Sequence, residues 1–210
     1  SKMERGPLYQ EVKLLMGDNF ISWKDINRIL PFLADFKQGE IPIIPFSIEE
    51  LKIKKDTHFL IWVCDKSRTG EVINLLSLKN HFGSEPFVNE PCFYFQDWYE
   101  KEVFFNKPIS AKWLLISKDI IGESRAVSPT KLDMEFPSAV ELVYVFLITY
   151  LIFKSPVFLN NTYAWANDLD ANHDQIYIGK YTDPLGLNKH GIEIHRHLSL
   201  KLNYGALDSQ

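Results

Sequence analysis

The chain has 210 residues, 46% of them hydrophobic, with a formal net charge of −4 and a pI of about 5.9. This size allows one well-filled core, and the acidic balance excludes a general electrostatic attraction to nucleic acid or to an anionic membrane. The two cysteines, Cys64 and Cys92, lie among apolar residues, which predicts buried free thiols in a reducing compartment. The first seventeen residues show no apolar signal segment, so the prediction is a cytoplasmic protein.

The N-terminal quarter differs in pattern from the rest of the chain. Residues 1–55 are predicted to form a small helical extension with short helices over 11–16 and 23–30, and residues 56–210 the main domain. The pattern alone leaves open whether this extension packs on the main core.

The longest apolar run lies within 137–153. Pro137 suits the first turn of a helix, since it lacks an N–H that would be unbonded there, and Glu141 lies where the helix dipole favours a negative charge. Because nearly every helical face is apolar, the run predicts a helix that is buried on all sides. A membrane span needs about 20 apolar residues, and Glu141 and Thr149 interrupt this run, so no span is expected.

Short strands are predicted on both sides of this helix. Four runs rich in β-branched and aromatic residues indicate strands at 58–64, 112–117, 163–166 and 175–181. The last two flank a polar loop and predict a hairpin with a long tip. With a further helix over 73–81, the predicted fold class is α+β, with short strands around a buried central helix.

The tip of this hairpin carries oxygen-bearing side chains at every second residue: Asp168, Asp170, Asn172 and Asp174. Such spacing can bring several oxygens onto Ca²⁺. Calcium loops of the helix-loop-helix type place glycine sixth and glutamate twelfth, where this chain has His173 and Gly179. The alternative is a solvated tip whose Asx side chains bond their own backbone.

The tail is enriched in histidine, with His190, His195 and His197 close to Glu193 and Arg196. Alternation over 191–198 predicts a half-exposed strand that places Glu193, His195 and His197 on one face. Imidazole and carboxylate groups on one face can hold a divalent metal. The same face could equally be a polar recognition surface or a plain solvated strand face.

Several segments, in this order, resemble the C-type lectin-like fold in the version found in retroelement-diversified variable proteins and their bacterial relatives. The matching segments are 15–22, 57–61, 98–99 with 113–124, 136–144, 168–170 with 176–179, and 186–188. The segment 136–144 is also similar to a helix of formylglycine-generating enzymes, which share the fold. Those relatives tend to end with a turn rich in Trp and Asp, then a "GL.S.RK" strand. Residues 189–210 contain no tryptophan, so the resemblance implies a fold but no ligand.

The resemblance implies a non-catalytic recognition module that displays a binding face from the hairpin and the tail. Its expected ligand is a protein or a glycan, and the face would include Asn188, Lys189, His190, Glu193, His195 and His197. The alternative is a metal-dependent hydrolase or nuclease that uses Glu193, His195 and His197. A third hypothesis is an assembly component whose aromatic surface seals an oligomer. No cofactor is expected, although these patterns leave a calcium ion or another divalent ion open.

Overall fold

The computed structural model describes residues 6–33, 41–185 and 190–210. Within these ranges the fold is mixed α+β, with five α-helices and two small sheets. The helices are α1 (Tyr9–Met16), α2 (Trp23–Ile29), α3 (Ile48–Lys54), α4 (Leu75–Phe82) and α5 (Ala139–Phe153). The strands are β1 (Phe20–Ile21), β2 (His58–Val63), β3 (Lys112–Ser117), β4 (Tyr163–Leu169), β5 (Gln175–Gly179), β6 (Glu193–His195) and β7 (Tyr204–Gly205).

Helix α5 is the buried rod that the sequence predicts. Its first eleven residues are buried, which confirms that no single stripe faces the core. The helix begins two residues later than predicted, because Ser138 is the N-cap and Pro137 precedes it. The Ser138 hydroxyl accepts a hydrogen bond from the Glu141 N–H at 3.2 Å, and the Glu141 carboxylate accepts one from the Ser138 N–H at 2.8 Å. This reciprocal pair satisfies two of the N–H groups that a helix start leaves unbonded.

The first sheet has the strand order β1-β2-β3 and packs against α5. Strands β2 and β3 pair antiparallel, with Leu60 opposite Leu115, which confirms the strands predicted over 58–64 and 112–117. The Tyr144 hydroxyl of α5 donates a hydrogen bond to the Trp62 carbonyl at 3.0 Å and accepts one from the Cys64 N–H at 3.1 Å. The central helix is therefore fixed to the end of β2 by a polar bridge within an apolar core.

The second sheet has the order β6-β5-β4-β7, and β4 and β5 form the predicted hairpin. One face of this hairpin turns Ala164, Ala166, Ile176 and Ile178 toward the core around α5. On the other face, Tyr163, Trp165 and Tyr177 of the hairpin form a separate cluster with Tyr204 and Ala206 from the end of the chain. The partly buried side chains of Leu132, Met134 and Phe136 pack against this cluster. Both faces of this sheet are thus covered by protein.

The described part of the N-terminal segment packs on the main core. Strand β1 pairs parallel with β2, with Phe20 opposite Leu60. Val12 and Ile26 are completely buried in the same cluster as α5. No described helix combines the length and the apolar character that crossing a lipid bilayer requires.

The end of the chain is more deeply embedded than the sequence predicts. The strand expected over 191–198 is reduced to Glu193–His195, and β7 follows after a non-regular stretch. Tyr204 to Leu207 are buried, and the Gln210 and Leu115 backbones exchange two hydrogen bonds. The closing residues therefore join the two sheets, rather than forming one continuous outward-facing segment.

Candidate functional site

The hairpin tip that suggested calcium is held by hydrogen bonds within the protein. Asp168 is buried; its Oδ2 accepts the Ala139 N–H at the start of α5 at 2.7 Å, and its Oδ1 pairs with Lys107 at 3.0 Å. Asp170 Oδ1 accepts the N–H groups of Asn172 and Asp174 at 2.9 and 2.8 Å. The tip is therefore an Asx-stabilised turn, which is the alternative that the sequence left open.

The structure does not bring the predicted metal ligands together. Among residues 6–33, 41–185 and 190–210, no group of three or more His, Cys, Asp or Glu side chains is arranged to hold a metal ion. Asp174 instead pairs with His197 at 3.5 Å. The contacts of Asp168, Asp170 and Asp174 within the protein do not favour the calcium interpretation, which also included Asn172 and stays a prediction.

Glu193 and His195 lie together, with Glu193 buried and the His195 side chain 35% exposed. Glu193 is buried and accepts a hydrogen bond from the Tyr163 hydroxyl, while His195 Nε2 lies 3.3 Å from its Oε2. The His195 ring stacks on Tyr177 with ring centroids 5.2 Å apart. The prediction of an exposed Glu193 face was wrong, because the cluster around Tyr163 and Tyr177 covers this side of the sheet.

The electrostatics of Glu193 fit a buried carboxylate with donors supplied by the protein. Burial alone would raise the pKa of Glu193, but the hydrogen bonds from His195 and Tyr163 outweigh it and leave this pKa below its usual value. Burial, and then the bond to Glu193, raise the pKa of the Tyr163 hydroxyl. His197 lies beyond the strand, mostly exposed, so the three residues of the hydrolase hypothesis do not form one ligand set among the described residues.

His190 lies in a different cluster, which contains the most unusual exposed surface of the described chain. Its ring lies between two tyrosines, with centroids 5.5 Å from Tyr94 and 5.4 Å from Tyr181. Tyr94 continues directly into Phe95, which is 66% exposed and contacts Phe87, which is 78% exposed, edge to face at 5.9 Å. We call these five residues, Phe87, Tyr94, Phe95, Tyr181 and His190, the aromatic face. It consists of two contacting groups, Phe87 with Phe95 and His190 with Tyr94 and Tyr181, which are joined through the chain at Tyr94–Phe95.

Charged groups lie beside His190 in this cluster. Lys180 is only 3% exposed; its Nζ pairs with Glu90 Oε1 at 2.7 Å and donates a hydrogen bond to the His190 carbonyl. Glu90 Oε2 accepts a hydrogen bond from the Tyr150 hydroxyl of α5 at 2.9 Å. Glu85 is 8% exposed, and its Oε1 lies 3.8 Å from His190 Nδ1. The cluster is therefore linked to the central helix through Glu90.

Sequence reasoning found only part of this site. It singled out His190, whereas Asn188 and Lys189 lie outside the described residues. It missed Phe87 and Glu90, because the segment 86–91 reads as loop, and Phe95, because the aromatic segment 93–99 reads as a strand or a packed loop. It did not single out Glu85. The available signal was the combination of Phe87 and Val88 with prolines at both ends of that loop, since exposed apolar side chains are unusual in a polar turn.

Comparisons with protein-family models, with characterised proteins and with solved structures found no match to this chain. The function is therefore argued from the site itself. The feature that carries most weight is the aromatic face, because Asp168, Asp170 and Glu193 are occupied by contacts within the fold.

Proposed function

We propose that this protein is a non-catalytic recognition module with a C-type lectin-like arrangement, and that it binds a protein ligand through the aromatic face. The observation that carries the proposal is the contact between Phe87 and Phe95, which leaves two phenylalanine rings together in solvent. A cytoplasmic location accompanies the proposal, in keeping with the buried free thiols of Cys64 and Cys92.

The exposure of this pair has an energetic meaning. Burying an apolar side chain as large as phenylalanine stabilises a protein by about 1.5–3 kcal/mol, which the free chain forgoes at Phe87 and Phe95. Single exposed apolar residues are ordinary, but adjacent exposed aromatic rings mark interaction surfaces. Aromatic residues are also enriched at the centre of protein interfaces, where they supply much of the binding energy.

The chemistry of the pair favours a protein over a glycan. Phe87 and Phe95 offer apolar rings without hydroxyl or amide groups. A sugar carries several hydroxyl groups, and each loses free energy on binding unless it finds a hydrogen-bond partner. Apolar side chains of a protein ligand have no such requirement, so they match this surface better.

The fold gives this surface a rigid support. Phe93 is completely buried and bridges to Ile192, so the chain that enters Tyr94 and Phe95 is anchored in the core. The Tyr94 N–H donates a hydrogen bond to the Ile192 carbonyl at 3.0 Å. Binding loops mounted on a rigid scaffold are the usual arrangement of recognition domains, and the resemblance to the lectin-like fold supports the same interpretation.

The proposal is tested by selecting a phage-displayed random-peptide library on the protein and comparing two variants. The double variant Phe87→Ser and Phe95→Ser should lose binding to the selected peptides, with affinities at least about tenfold weaker, as expected for the loss of interface hot spots. The matched control is Leu14→Ser, since Leu14 is 89% exposed on α1, outside the aromatic face.

Equal binding by the wild type and the double variant would overturn the proposal. A glycan array supplies the competing outcome. If no peptide is selected and a glycan binds saturably through Phe87 and Phe95, the ligand is a sugar and the proposal of a protein ligand is wrong.

A further inference from the structure

A buried carboxylate lies next to the aromatic face without a full set of partners. Glu85 Oε2 has no accessible surface and no hydrogen-bond partner among the described residues. Glu85 Oε1 lies 3.8 Å from His190 Nδ1, and this nitrogen also lacks a hydrogen bond there. An ionised carboxylate that is removed from water without a partner is costly, so this arrangement calls for a positive group supplied from elsewhere.

The charged groups around Glu85 are paired unequally. Lys180 is committed to Glu90, whose second oxygen accepts the Tyr150 hydroxyl. Lys180 therefore offsets one of the two glutamates, whereas Glu85 faces His190 across the longer distance of 3.8 Å between its Oε1 and His190 Nδ1. Burial raises the pKa of Glu85, and the charges of His190 and Lys180 counter that rise only in part.

Aromatic rings next to this charge complete a cation site. Tyr94 and Tyr181 both contact the His190 ring, and Tyr181 is 44% exposed. A cation near the face of an aromatic ring is attracted by its π electrons. A negative charge beside the rings adds to this attraction, because the partly buried site screens it less than water would.

We infer that the protein ligand presents a basic side chain, lysine or arginine, to the row formed by Tyr94, His190 and Tyr181, next to the Glu85 carboxylate. This inference rests on the proposed function and specifies its ligand. Phe87 and Phe95 supply the apolar contact, while Glu85 supplies the charge that selects the cation. The side chain of His190 is 23% exposed and that of Glu85 is 10% exposed, so direct contact between the cation and Glu85 requires a rearrangement of side chains.

The experiment uses two small probes and NMR of the intact protein. N-acetyl-lysine methylamide should shift the ring signals of Tyr94, Tyr181 and His190 in a saturable way, with an affinity in the millimolar range. N-acetyl-norleucine methylamide, which has the same stem without the charge, should not. Glu85→Gln keeps the shape and removes the charge, and should weaken the lysine probe about tenfold, a loss within the range of charge-assisted contacts.

Two further variants make the result specific. Glu71→Gln, an exposed glutamate outside this cluster, should leave the affinity of the lysine probe unchanged. Tyr181→Leu removes an exposed ring and should weaken the lysine probe, so the inference stays testable if Glu85→Gln fails to fold. Equal binding of both probes, or unchanged affinity in Glu85→Gln and Tyr181→Leu, would overturn the inference.

The two proposals can fail separately. Selected peptides that depend on Phe87 and Phe95 but contain no basic residue would leave the recognition function standing and reject the cation site. If the lysine probe binds saturably but no selected peptide depends on Phe87 and Phe95, the cation site stands and the recognition function of the phenylalanine pair is rejected.

Discussion

The Asp168 carboxylate accepts a hydrogen bond at 2.7 Å from the N–H of Ala139, the first residue of helix α5. This contact joins the end of strand β4 to the positive end of the helix dipole and satisfies an N–H that the helix leaves unbonded. The other Asp168 oxygen pairs with Lys107. A residue that looked like a metal ligand in the sequence therefore fixes the central helix in place.

Replacing Asp168 by alanine should lower the free energy of unfolding by about 1–3 kcal/mol, the usual cost of removing a helix-capping or charge-assisted hydrogen bond. The measurement is urea unfolding followed by circular dichroism. Asp174→Ala is the control from the same loop, because the Asp174 side chain is 41% exposed and its ion pair within the described part of the chain is with exposed His197. The control should stay within about 0.5 kcal/mol of wild type. Equal losses in both variants would contradict the capping role.

Replacing Tyr144 by phenylalanine should destabilise the protein by about 1–3 kcal/mol, because it removes the hydrogen bonds that the Tyr144 hydroxyl makes with the Trp62 carbonyl and the Cys64 N–H in the core. Tyr9→Phe is the control, since the Tyr9 hydroxyl makes no hydrogen bond among the described residues. Thermal melting compares the two variants. A Tyr144→Phe variant as stable as wild type would mean that the bridge to β2 contributes nothing.

Replacing Tyr163 by phenylalanine should cost about 1–3 kcal/mol at pH 7, because the buried Glu193 carboxylate loses a donor. The pKa of Glu193 in the folded protein lies below its usual value of 4.5. Its ionised form therefore contributes stability that is present above pH 4.5 and is lost as pH falls through the lowered pKa. Losing the hydroxyl moves that pKa upward, so the cost of the substitution should shrink below pH 4.5.

The readout is the difference in unfolding free energy between wild type and variant, measured as a function of pH. Tyr204→Phe serves as the control from the same aromatic cluster, because its hydroxyl makes no hydrogen bond among the described residues. A difference for Tyr163→Phe that grows toward low pH would show that the sign of the Glu193 contribution is wrong.

The sequence predicted best where one local property determines the structure. The apolar run of α5 predicted a helix buried on every side, and the runs rich in β-branched and aromatic residues predicted strands β2 and β3. Helix α5 begins two residues later than predicted. The prediction used Pro137 as the first helical residue, whereas Ser138 caps the helix through a capping box with Glu141.

The sequence failed where contacts between distant segments decide. Alternation at Glu193 and His195 predicts which side chains share a face, but it cannot reveal that Tyr163 and Tyr177 of the neighbouring strands contact them there. The pairing of Tyr204 with Tyr163 joins residues far apart in the chain. The aromatic face was missed for the same reason, because His190 meets Tyr94 and Glu85 only after folding.

The most direct test of the recognition function is the affinity of one selected peptide, measured by titration calorimetry on wild type and on the Phe87→Ser, Phe95→Ser double variant. The structure predicts a loss of at least about 1.4 kcal/mol, a tenfold change, with unaltered melting. A peptide that binds both proteins with the same affinity would contradict the claim that the aromatic face is the binding surface.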